Sequence, residues 1–325
     1  MTVTVNCATV NPTRTLPVNS ELNARLPAAA QQKNAWSPLL LGGVLWRGIT
    51  HIRIHREVLR LLLRFPPYTE FAISNPSFAY KYLTQIYLVR GFTVAERAAC
   101  FLHHYQRLHS ALPDSLLRQT LREDVAIHEI HEGANRLVLT MGKSRPSVME
   151  GELSLHLRVD GKIVYILSFN IVPGWVVKSQ AEEVLLITRL QGVKGAYPPI
   201  SYATKTLHDV APGALLFAAL QGIAHAFGIG EIASVSGVMQ SYYREDDAAD
   251  FKEAYDDFFT ELGIPKSAAG FFRIPLPFQE KPLTFIKHGH KIRTREKRAF
   301  KQQIQLACAG FFEKFAPDAS RKLPA

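Results

Sequence analysis

The run LHDVAPGALL at 207–216 gathers polar residues just ahead of a long apolar stretch. Residues in that position can do chemistry. The first amides of a helix have no partner within it, so they hold phosphate or carboxylate groups. Gly213 would open such a helix, with His208 and Asp209 immediately before it. An imidazole titrates near neutrality and can act as a base. His208 is therefore either a base or a surface loop residue beside Asp209, which can cap the helix. Lys205, three residues earlier, either steadies an anionic ligand or faces water. Gln191 and Gly192 end an apolar run. There a glycine lets a backbone approach closely and a glutamine orients a polar ligand, although a turn needs the same residues. Glu150 and Glu152 flank Gly151, and Glu152 shares an alternating face with Ser154 and His156. Four residues on a strand span about 13 Å, so Glu152 and His156 can line one cleft but cannot pair directly unless the strand bends.

Other arrangements point away from chemistry. His103, His104 and His109 are not spaced four apart, and the sequence contains no HExxH, GxSxG, Walker loop or GxGxxG. Cys7, Cys100 and Cys308 are scattered, so neither a disulfide framework nor a cysteine metal site is expected, and no metal is predicted. A reducing, cytoplasmic setting fits them best. The N-terminus lacks the pattern of a signal peptide. PLLLGGVLWRGI at 38–49 is too short to span a bilayer.

The net charge of +10 is unevenly placed. Five arginines stand against Glu57 in 47–64, and seven Lys and Arg against Glu296 in 287–301. Segment 245–261 instead holds eight acids against Lys252. Arg56, Arg60 and Arg64 form a helical stripe beside the apolar series Leu45, Ile49, Ile52, Leu59 and Leu63. This stripe and the basic tail are the candidate contacts for an anionic membrane surface or lipid headgroup, which would place the protein peripherally at the inner membrane. A solvated helix face is the alternative. Nucleic acid is disfavoured, because aromatic residues are not interleaved with the charges.

These residues must be positioned by elements that the sequence pattern predicts. Residues 1–37 read as a flexible N-terminal arm, 38–120 as a helical block, 121–285 as a mixed α/β domain and 286–325 as a basic C-terminal helix and tail. Helices are expected over 38–64, 74–88 and 93–110, the last opened by a Thr93/Glu96 capping box. FPPY at 65–68 ends the first of them. The period then becomes two. ELSLHLRVDGKIVYILSFNIVPG predicts a hairpin turning at Asp160-Gly161, and 182–192 a central strand. A helix over 213–227, a strand over 231–238, a helix over 250–264 and a strand over 271–277 follow. The fold class is α+β, a helical N-terminal block followed by a mostly antiparallel mixed sheet with crossover helices.

This order of hairpin, central strand, helix, strand and a helix ending in ELG resembles the acyl-CoA N-acyltransferase fold. The resemblance implies acyl-CoA as cofactor near Gln191, Gly192, Lys205, Asp209 and Gly213. It also implies His208 or Glu152 as base and Tyr255 as an acid, although Tyr255 equally fits the apolar stripe with Phe251 and Phe258. EGELSLHLRVDGKIVYILSF at 150–169, LQG at 190–192, ATKTLHDVAPGALL at 203–216, YDDFFTELG at 255–263 and GFFRIPLP at 270–277 resemble motifs of the VirK/YbjX family. That resemblance implies a part in envelope stress, virulence or antimicrobial-peptide resistance.

Overall fold

The structure is a computed structural model that describes residues 38–131, 135–145 and 147–315. The arm expected at 1–37 lies outside the described residues. Helices α1 (Pro38–Thr50) and α2 (Ile52–Arg64) part at His51. FPPY both ends α2 and begins α3 (Pro66–Ser74). Phe65 is extended, and both prolines fall in the first turn of α3, where a missing amide is not needed. The predicted helix over 74–88 is replaced by two 3-10 turns, Pro76–Ala79 and Lys81–Leu83. Lys81, Tyr82 and Leu83 are all buried. Helix α4 (Val94–Ala111) starts at the expected capping box. Thr93 Oγ1 accepts from the Glu96 amide at 3.2 Å, and Glu96 Oε2 accepts from the Thr93 amide at 2.8 Å. Helix α5 (Asp114–Arg122) completes the helical region.

The strands are β1 (Val125–Ile130), β2 (Leu137–Lys143), β3 (Leu153–Val159), β4 (Lys162–Pro173), β5 (Glu183–Gly192), β6 (Glu231–Val235) and β7 (Phe271–Pro275), and they form one sheet in chain order. All neighbours are antiparallel except β5 and β6. Asp160 and Gly161, with φ of 48° and 80°, make the predicted two-residue turn between β3 and β4. β3 is buried along its whole length, so neither of its faces meets water. The parallel pairing of β5 with β6 covers only Leu185–Ile187 against Ile232–Ser234. Beyond it, β5 continues to Gly192 beside β4 alone.

Helix α6 (Tyr197–Thr206) occupies the connection after β5, for which the sequence predicts no element. Helix α7 (Pro212–Ala226) packs on β3, β4 and β5 and buries the expected stripe of Leu216, Leu220, Ile223 and Phe227. After β6 come α8 (Ala248–Phe251), a π-helical turn (Lys252–Asp257) and α9 (Phe258–Glu261). Helix α10 (Lys291–Glu313) lies along α7. Gly222 is required at that crossing, because a Cβ there would overlap the Gln305 carbonyl oxygen. The apolar residues of α1 and α2 divide between two faces. Val44, Val58, Leu61 and Leu62 face the core, whereas Leu45, Ile49, Ile52, Leu59 and Leu63 are exposed.

Candidate functional site

A cleft of about 840 Å³ lies at the end of β5, between β4 and the 248–261 helix. Tyr165 of β4, paired with Gly192, lines it together with Phe258. The start of α7 closes one side: a Cβ on Gly213 would stand 3.2 Å from Tyr165 Oη and 3.5 Å from Phe258. Asp250, Glu253, Asp257 and Glu261 line the opposite wall with Lys252. Their spacing of three, four and four residues puts them on one helix face. The π-helical turn lies in the middle of that face, and such turns recur at functional sites. Lys252 offsets one of these charges, at 3.7 Å from Asp257.

Behind the cleft is a buried polar network. Arg189 Nη1 donates to Glu150 Oε2 at 2.9 Å, and Gln240 Nε2 donates to Glu150 Oε1 at 2.5 Å. With its amide oriented to suit Arg189, the Gln191 oxygen accepts from Nη2 at 2.7 Å and Nε at 3.1 Å. Tyr255 points to this network from the inner side of the π-helical turn. Its hydroxyl lies near Glu150, Arg189 and Gln240 without a hydrogen bond of good geometry, and burial with the Glu150 charge pushes it well above the ordinary phenol range. Its ring stacks on Phe251 at 6.0 Å.

Gly192 and Gly213 adjoin Tyr165, and Gln191 and Tyr255 belong to the network around Arg189; none of the four lines the cleft itself, and the fold disperses the other candidates. Glu152 is deep in the interior, where Lys81 Nζ, Tyr87 Oη and Tyr105 Oη all donate to its carboxylate. Burial pushes the Lys81 amine below its usual range against the pull of Glu152, and burial with Glu152 pushes both phenols up. His208 and Asp209 are consecutive left-handed residues, with φ of 52° and 58°, turning the chain from α6 to α7. The His208 ring lies 5.0 Å from that of Phe300. Asp209 does not cap α7, whose cap position is Ala211; it pairs with Arg293 of α10 at 2.7 Å. Lys205 is exposed at the end of α6. His156 pairs with Asp124 at 3.1 Å, and Arg158 reaches the same oxygen at 2.5 Å. Burial pushes the Asp124 carboxyl up, but His156, Arg145 and Arg158 outweigh it and hold the group well below the usual range.

Sequence patterns did not single out Arg189, Gln240, Lys81 or Asp124. Their partners lie 39, 90, 71 and 34 residues away, so no local spacing marks them. Among the described residues, no group of three or more His, Cys, Asp or Glu is placed to hold a metal ion.

One family model matches residues 44–309, that of a protein of unknown function (DUF535). The chain belongs to the DUF535 family. No curated protein and no solved structure matches it. Membership of DUF535, which spans the helical region and the sheet alike, corrects the resemblances drawn from short motifs. It replaces the VirK/YbjX assignment and, with it, the expected part in envelope stress, virulence or antimicrobial-peptide resistance. It also replaces the acyltransferase assignment and its acyl-CoA cleft. A shared order of strands and helices was the basis for the latter, and element order alone does not carry a site.

Proposed function

We propose that this DUF535 protein binds a small ligand bearing a positively charged group in the cleft between Tyr165, the start of α7 and the 248–261 helix. The observation that carries the reading is the position of the cleft, just beyond the point where the parallel pair parts and β5 runs on alone. In open α/β sheets, ligands enter at the carboxyl ends of such strands. The lining favours the ligand's charge, since Asp250, Glu253, Asp257 and Glu261 outnumber Lys252 among the lining residues, and the Tyr165 ring offers a face on which a cation can rest. Gln191, Gly192, Gly213 and Tyr255 act here by shaping the cleft and its backing network. The cleft residues all belong to the 121–285 unit, which in this reading holds the ligand.

Titration calorimetry with a diamine, a polyamine and an arginine ester, against a neutral alcohol and a carboxylate of similar size, tests this. Saturable binding of an amine, weakened at least tenfold in a Glu253→Gln/Asp257→Asn variant, is expected from two charges at about 1 kcal/mol each. Failure of every amine to bind, or equal binding by the neutralised variant, would sink the reading.

A further inference from the structure

We infer that α1 and α2 form a docking face for an anionic lipid bilayer, with their apolar side chains in the interfacial layer and their arginines on lipid phosphates. This goes beyond the cleft and does not depend on it. Leu45, Trp46, Ile49, Ile52, Leu59 and Leu63 are all exposed, Trp46 and Ile49 by 68% and Leu63 by 73%. Single exposed apolar residues are ordinary, but six on two consecutive helices are not. Around α2 the residues sort into three sectors. Ile54, Val58, Leu61 and Leu62 face the protein. Next comes the exposed stripe Ile52, Leu59 and Leu63, spaced seven and four apart. Beyond it lie Arg53, Arg56, Arg60 and Arg64, all exposed. Among the described residues none of these four arginines is ion-paired, and only Glu57 adds an opposing charge on that face. An apolar stripe bordered by cations is the pattern of a helix lying in a membrane interface.

The helices are fixed to the fold on their other side, so the face is presented ready-made. Arg47 Nη1 donates to the Leu83 carbonyl at 3.2 Å, and His55 Nδ1 lies 3.0 Å from Tyr82 Oη. Charge decides among the occupants. The segment 1–37 carries Arg14, Arg25 and Lys33 against Glu21, so it does not complement four arginines. A second copy would bring the same arginines together. Nucleic acid would satisfy the guanidiniums and leave the Leu, Ile and Trp stripe in water. A bilayer with anionic headgroups satisfies both, since guanidinium pairs bidentately with phosphate. No helix among the described residues is long and apolar enough to cross a membrane, so the contact is with its surface.

Flotation of the full chain with phosphatidylcholine vesicles, and with equimolar phosphatidylcholine and phosphatidylglycerol, tests the proposal. The chain should float with the anionic vesicles only. An arginine near an anionic surface contributes about fivefold, so Arg56→Gln/Arg60→Gln/Arg64→Gln should weaken partitioning roughly a hundredfold. Leu59→Ser/Leu63→Ser should weaken it at least tenfold. All five side chains are exposed, so both variants should melt like the parent. Glu253→Gln/Asp257→Asn in the cleft should float unchanged. Equal flotation on neutral vesicles, or none on either, overturns the proposal. So does a dimer, seen by light scattering, that Leu59→Ser/Leu63→Ser dissolves. Retention on duplex DNA that this variant leaves intact also overturns it.

Discussion

His104 shows how burial sets the chemistry of one side chain. Its Nδ1 accepts from the Ile171 amide at 3.0 Å, and its Nε2 is buried with no partner among the described residues. Burial, with Lys81 and His103 adding to it, holds the imidazole well below its ordinary range. The neutral ring is therefore the folded form. Below about pH 6.5 the unfolded chain takes up a proton here that the folded chain refuses, so this residue's stability is full above that pH and declines below it, by up to about 1.4 kcal/mol per pH unit. Urea unfolding between pH 7 and 5 should show a steeper loss in the parent than in His104→Gln, and parallel curves would remove His104 as the cause. The identity of His104 was plain in HHYQRLH, but its environment was not. Helical periodicity places it on α4, and only the packing of α4 on β4 brings the Ile171 amide to its ring.

Elements were more legible than residues, and the exceptions have physical causes. The Thr93/Glu96 capping box, the Asp160-Gly161 turn and the apolar stripe of α7 all express local rules, and each forms where the pattern places it. The 74–88 segment does not become a helix, because Lys81 is drawn inward to Glu152 and Arg97 Nε donates to the Tyr82 carbonyl. In α2 the most regular apolar series points away from the core, a direction that periodicity by itself does not decide. Gly222 separates local from tertiary control. Intrinsic propensity makes Gly→Ala in a helix favourable by about 1 kcal/mol. The α7–α10 crossing leaves no room for a methyl, so Gly222→Ala should instead destabilise by about 1–3 kcal/mol, as overpacked cores do. A raised melting temperature in this variant would show that the two helices part easily.

At the scale of the molecule, one buried apolar cluster runs from Val44 to Phe312, and Glu152 ties the strand β3 side to Lys81, Tyr87 and Tyr105 of the helical region. Unfolding followed by far-ultraviolet circular dichroism and by tryptophan fluorescence should therefore coincide, and Glu152→Ala should separate the two curves by leaving the Lys81 amine buried without its carboxylate. Separate transitions in the parent would make the helical region an independent unit. The sequence by itself determined the α+β class, most element positions, the start of α4 and the hairpin turn, because backbone direction and side-chain alternation repeat over a few residues. The tertiary structure alone decided which face of α2 meets water, which of the candidate residues come near the cleft, and which distant charges neutralise one another. Those outcomes depend on contacts between residues tens of positions apart, for which a linear pattern holds no spacing to read.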